Sequence, residues 1–234
     1  IDQLAAFMQP TWQALIDGAR YCEPQLREIL ARQTPDVIVE DNVVAFPALV
    51  THGAPFVRIM SCNPLEMPGP HIAPAYSGLP ADDPASWPAF RAEYDRTHRP
   101  MWTEFDAWVQ EQGAPGLPDL EFIHASDHLN LYVYPEALDY VDRRPLDETW
   151  QRLESSVRRT DAAFDLPAVL RDRPAGSALI YLSLGSLGSA DVGLMERLIA
   201  VLSGSPHRFI VSKGPQHAEF ELASNMWGAE FLPQ

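Results

Sequence analysis

The chain has 234 residues and a formal net charge of −15, from 17 Lys and Arg against 32 Asp and Glu. That balance excludes a free-standing nucleic-acid binder, which needs a basic stripe to displace counterions, and disfavours an anionic membrane surface. Apolar residues make up 46%, enough for a packed core and too many for disorder, yet no apolar run is long enough to span a bilayer.

Taken in chain order, residues 11–33 read as a helix, because Trp12, Leu15, Ile16, Ala19, Leu26, Ile29 and Leu30 repeat at helical spacing. Pro35 stops it. The β-branched run Val37-Ile38-Val39 predicts a short buried strand of a parallel sheet. A short helix over 43–52 and a second strand over 55–60 complete a βαβ unit. Prolines 64, 68, 70, 74, 80, 84 and 88 then mark a long irregular stretch. Within a compact domain such a stretch either lines a binding site or stays disordered. Residues 89–111 form an amphipathic helix and 129–135 a strand. Residues 136–176 are polar and read as a linker.

The pattern then restarts. Residues 178–184 predict a buried strand, Gly185-Ser186-Leu187-Gly188-Ser189 a turn, and Met195, Leu198, Ile199 and Leu202 one face of a helix. Strands follow at 208–212 and 229–232. The charge divides with the pattern. Residues 1–170 hold 12 basic and 26 acidic residues, whereas 171–234 hold five and six. Three segments result: 1–135, a linker over 136–176, and 177–234. Neither outer segment has strands enough for a finished parallel domain, so the chain reads as the middle of a larger protein. Two cysteines, Cys22 and Cys62, give neither a metal spacing nor a disulfide framework. With no signal-like N-terminal segment, a cytoplasmic location is expected.

The chemistry concentrates in Ser183-Leu184-Gly185-Ser186-Leu187-Gly188-Ser189. Between a strand and a helix, such a turn lets backbone approach a diphosphate, hydroxyls donate to its oxygens, and the helix N-terminus adds a positive dipole end. It also fits an ordinary βα turn with no ligand. Asp41 closes a parallel strand, the end at which open α/β sheets place ligands. A carboxylate there can orient an imidazole, or Asp41 or Asn42 can cap the next helix.

Residues 180–188, with Phe231-Leu232-Pro233-Gln234, Pro35-Asp36-Val37-Ile38-Val39-Glu40-Asp41 and Gly53-Ala54-Pro55-Phe56-Val57, resemble family 1, UDP-glycosyltransferase-type, glycosyltransferases. The likeness covers most of 34–62 and 178–234, in the family's order. It implies an α/β chain of GT-B type, with two Rossmann-like domains, both incomplete in this chain. The first would bind a small lipophilic acceptor and the second a UDP- or dTDP-sugar, with no cofactor required. By the same resemblance, Ser183, Gly185, Ser186, Leu187 and Gly188 form the donor-phosphate loop. Phe231 stacks on the donor base, Gln234 lies near base and ribose, and Asp41 pairs with the catalytic histidine. That histidine is expected before Ile1, and the family's His-Gly-Gly-type loop beyond Gln234, so the chain alone is expected to be inactive. Two other readings stay open: another GT-B nucleotide-sugar enzyme such as an epimerase, and a non-catalytic glycosyltransferase-like binding partner.

Weaker features are His124 and His128, spaced i, i+4, and Trp87, Phe90, Tyr94, Trp102 and Trp108. The first pair suits a metal only on a helix. The aromatic set reads either as a pocket lining or as the helix's core face. Lys213, the single lysine, reads as a strand-end residue or a phosphate ligand. Asp82-Asp83 and Arg143-Arg144 read as solvated charges.

Overall fold

The computed structural model describes residues 3–61, 63–154 and 164–232. The chain divides into two compact units, Ile1–Ser156 and Val157–Gln234. Gln234, expected beside the donor base, lies outside the described residues, as does Cys62.

In the first unit, helix α1 (Gln9–Gln33) follows a π-helical turn, Leu4–Met8. It buries Trp12, Ile16, Ala19 and Leu30 at the spacing expected of one helical face. It ends where Thr34 takes a left-handed backbone, φ 44°, a conformation helix C-termini commonly use. Strand β1 (Ile38–Asp41) leads to a short helix α2 (Pro47–Thr51) and strand β2 (Phe56–Met60). Helix α3 (Trp87–Glu111), strand β3 (Leu129–Tyr132) and strand β4 (Trp150–Arg152) complete it. The sheet runs β1-β2-β3-β4 with every pair parallel. Its main core packs Trp12, Ile16 and Ala19 against Met101, Phe105 and Val109 of α3 and against Phe122. Phe122 stacks on Trp12 with ring centroids 4.4 Å apart.

Two sequence expectations change here. The segment 136–176 contains β4, which pairs with β3, and the chain divides within it. Val37 and Val39 stay about half exposed, because β1 is an edge strand and alternate residues point to opposite faces. Only Ile38 and Glu40 turn inward.

The second unit carries helix α4 (Ala168–Arg171), strand β5 (Leu179–Leu182), a single helical turn α5 (Gly185–Gly188), helix α6 (Val192–Ser203), and strands β6 (Arg208–Ser212) and β7 (Met226–Ala229). Its sheet, β5-β6-β7, is also parallel. Met195 and Ile199 of α6 pack on Phe209, Val211, Phe220 and Met226. The strand expected over 229–232 therefore runs three residues earlier. β5, expected to be buried, exposes Leu179 and Tyr181 at the sheet edge.

Candidate functional site

The first unit encloses a cavity of about 570 Å³, within the range of small-molecule pockets. Its walls are the proline-rich segment after β2, one side of α3, and residues 119–123. Of the two readings of that proline-rich segment, the ordered wall is the one observed. Main-chain carbonyls of this segment are held by arginines from elsewhere in the unit. Arg91 donates to the carbonyls of Gly69 and Ile72, each at 3.0 Å. Arg144 donates to Met67 O at 2.8 Å and to Pro64 O. Arg143 reaches Ala81 O at 2.9 Å, and the Trp87 indole reaches Pro80 O at 3.1 Å.

Arg144 is thus not a solvated charge. It is buried, and it bonds Asp139 at 2.6 Å. Arg152 takes the other oxygen of Asp139 at 2.5 Å, and Tyr132 donates to Asp139 at 2.8 Å. Burial raises the Asp139 pKa, but its hydrogen bonds from Arg152, the Tyr140 amide and Tyr132, together with the Arg144 charge, hold it below the ordinary aspartate value.

The lining is largely apolar, with Trp12, Val43, Leu65, Phe90, Phe122 and Ile123 among its residues. Of the aromatic set singled out in the sequence, Phe90 and Tyr94 face the cavity, while Trp102 and Trp108 pack on the main core. Arg58, Glu66, Arg91, Asp95, Asp119 and Glu121 supply the charges. Asp95 and Asp119 are both held by Arg99. Two of the four non-glycine residues with positive φ in the described chain, Tyr76 (64°) and Leu120 (58°), are also wall residues. Such conformations cost of order 1–3 kcal/mol each and gather at ligand sites.

Beside the cavity, a polar row crosses the sheet. Glu40, Arg58, Asn130 and Trp150 stand in register on the four strands, and Arg58 lies over the Trp150 ring at 5.9 Å. Burial pushes the Glu40 carboxyl up to about 8 against the pull of Arg58. A raised carboxyl binds its proton in the folded state across the range where the unfolded chain has lost it. Stability therefore falls as pH rises from about 5 to 8, by up to ~1.4 kcal/mol per pH unit, then levels off. Glu40→Gln is expected to remove this slope. The difference between the urea-unfolding free energies of the two proteins, measured across that range, checks it.

Asp41 lies outside the cavity lining. It is exposed at the C-terminal end of β1, and Ser61, just past β2, donates to its Oδ1 at 2.7 Å. The capping alternative is not what is observed. The residue before α2 is Phe46, with no side-chain cap, and the Ala48 amide is taken by Glu23 of α1 at 3.1 Å. Asn42 instead bonds the adjacent Val43 amide. Asp41 is therefore spared a capping role.

In the second unit, three loops meet at the C-terminal edge of the sheet. Gly185, three residues past the end of β5, takes a positive φ of 66°, as the turn requires. The helical turn Gly185–Gly188 holds Ser186 and Leu187 in its backbone, and the Ser189 hydroxyl donates to Gly185 O at 2.6 Å. Ser183 lies exposed at the start of the turn, its Oγ 3.4 Å from the Gly185 amide. Gly214 follows β6, its amide bonding Glu230 O at 3.1 Å, and Phe231 follows β7 with 75% of its surface exposed. The long helix does not begin at the turn, as the sequence suggested. It begins at Val192, where the Asp191 carboxylate caps the Leu194 amide at 2.9 Å, so an acid already occupies that N-terminus. Lys213 is likewise engaged, donating to Phe220 O at 2.9 Å.

The structure does not place His124 and His128 on a helix. His124 Nε2 bonds Pro115 O at 2.8 Å, and no metal-binding cluster of His, Cys, Asp and Glu occurs among the described residues. No described helix is long and apolar enough to cross a membrane. Sequence reasoning missed Glu121, Arg58 and the Asp139 cluster. The only available signal was charge embedded in apolar stretches.

No family model matches the chain, and no curated protein matches it in sequence. Solved structures do match. The glycosyltransferase of kitacinnamycin is similar at 18% identity and a TM-score of 0.58, over 96% of this chain and 55% of that one. Spinosyn rhamnosyltransferase SpnG is similar at 14% identity and 0.51, over 93% and 50%. The same enzyme complexed with thymidine diphosphate gives 0.50. The chain thus spans about half the length of the solved structures it matches. Together with two parallel sheets in separate units, these likenesses establish the α/β, GT-B-like fold.

Proposed function

We propose that the chain is the acceptor-binding part and the first donor-phosphate loop of an inverting, family 1-type glycosyltransferase. It would move a sugar from a UDP- or dTDP-sugar to a hydroxyl of a small lipophilic acceptor. The observation that carries this is the apolar cavity of about 570 Å³ in a GT-B-like chain, one of whose structural matches was solved with thymidine diphosphate. The acceptor lies in the cavity. A histidine takes its hydroxyl proton, and Asp41, steadied by Ser61, orients that imidazole and stabilises its charge. The Ser183–Ser189 turn binds the leaving diphosphate through backbone amides and hydroxyls, with Gly185 allowing close approach. Phe231 stacks on the base. Neither metal nor cofactor enters these steps, and the reaction is placed in the cytoplasm.

The test is sugar transfer by the complete protein, with UDP- and dTDP-glucose and a panel of polycyclic alcohols. Asp41→Asn is expected to lower kcat by about 10²–10⁴-fold with little change in donor KM. Unchanged kcat removes Asp41 from the mechanism. Ligand binding without transfer from any donor favours the other reading, a glycosyltransferase-like binding protein, which the cavity alone would serve.

A further inference from the structure

Two residues that line the apolar cavity, Glu121 and Tyr94, carry side-chain polar groups that make no hydrogen bond among the described residues. Glu121 is fixed through its backbone, its carbonyl accepting from the Trp102 indole at 2.8 Å and its amide donating to Pro118 O at 3.0 Å. Its carboxylate accepts no hydrogen bond among the described residues. The Tyr94 ring is fixed by stacking on His98, with centroids 4.1 Å apart and planes 9° apart, and its hydroxyl likewise makes no hydrogen bond among the described residues. The two sense each other: Tyr94 is shifted upward first by burial and second by the Glu121 charge, so the phenol keeps its proton as a donor. The remaining acids and bases of the wall are engaged. Asp95 and Asp119 share Arg99, and Arg91 is bound to loop carbonyls.

An unmatched polar group in an apolar pocket selects strongly for a ligand that matches it. We infer that the cavity recognises an apolar molecule by a hydrogen-bond donor that it carries, an ammonium or a hydroxyl, held by the Glu121 carboxylate and the Tyr94 hydroxyl. A hydroxyl donates a hydrogen bond to Glu121 and accepts one from Tyr94; an ammonium donates to both oxygens. A carboxylate ligand brings no donor for Glu121, whose ionisation burial already disfavours against the pull of Arg58. The inference rests on reading the cavity as the acceptor pocket, but binding alone tests it.

The full chain would be titrated calorimetrically with four probes sharing one body: 2-naphthylmethylamine, 2-naphthalenemethanol, 2-naphthoic acid and 2-methylnaphthalene. The amine and the alcohol are expected to bind at least about tenfold more tightly than the acid. Glu121→Gln is expected to weaken the amine about tenfold, and Tyr94→Phe to weaken the alcohol several-fold. Unchanged 2-methylnaphthalene affinity in both variants reports that the cavity is still formed. The inference is overturned if the acid binds as tightly as the amine, if no probe binds, or if the amine binds Glu121→Gln undiminished. The probe order holding while the complete protein transfers no sugar supports this inference and overturns glycosyl transfer.

Discussion

Asp139→Ala is expected to lower the unfolding free energy of the first unit by about 3–5 kcal/mol. The carboxylate has no accessible surface and joins Arg144, itself buried, to Arg152. Removing it leaves two largely buried guanidinium groups with loop carbonyls but no counter-charge, which is costly. A fall in melting temperature of roughly 10 °C is the readout. Replacing Asp139, Arg144 and Arg152 together by leucine, methionine and leucine is expected to recover part of that stability, because the charges leave together, while the Tyr132 hydroxyl and the Met67, Pro64 and Tyr134 carbonyls lose their partners. It is not expected to recover the cavity. Arg144 also holds the Met67 and Pro64 carbonyls, so chymotryptic cleavage after Tyr76 should stay faster than in the parent. Recovery of both, or of neither, counts against this division of labour. The depressed Asp139 pKa fixes the acid limit. Its stabilisation is complete above about pH 4 and is lost as pH falls through the lower folded value.

The second large effect is expected from Gly214→Ala. Gly214 has φ +72°, and a methyl there would stand 1.9 Å from Ser189 Oγ and 2.7 Å from Ser189 Cβ. The left-handed backbone costs an alanine about 1–2 kcal/mol, and the overlap adds about 1–3. Since Ser189 is the residue whose hydroxyl closes the turn onto Gly185, relief of the clash must move that turn. Thermal unfolding should register a loss of about 2–5 kcal/mol in the second unit, and affinity for dTDP should fall with it. Adding Ser189→Gly removes the overlap but not the backbone cost, so about half of the stability should return. An unaltered melting curve in Gly214→Ala would show that the two loops do not touch in solution.

These two sites mark where sequence reading stops. The helical period exposed α1 and α3, and β-branched runs exposed the strands, because both signals are local. The turn after β5 was legible for the same reason, as was Asp41 at the end of β1. Gly214 was not, since its neighbour Ser189 lies 25 positions away, and nothing local announces so close an approach. The partner of the Ala48 amide was equally hidden, because Glu23 reaches it from another helix. Arg144 was misleading in a different way. Charge in a sequence implies solvent until the compensating group is seen, and for Arg144 that group is Asp139 together with two loop carbonyls. The proline-rich wall looked irregular and is irregular. Its order comes from arginines elsewhere in the sequence.

That mode of attachment has a consequence for how the pocket changes over generations. Arg91, Arg143 and Arg144 grip main-chain oxygens, which every residue type possesses. Side chains along the wall can therefore be exchanged without disturbing the anchors, and a new occupant can be accommodated by substitutions that leave the scaffold's stability almost untouched. The fold separates holding the wall from choosing what it encloses, so ligand preference is free to drift faster than architecture.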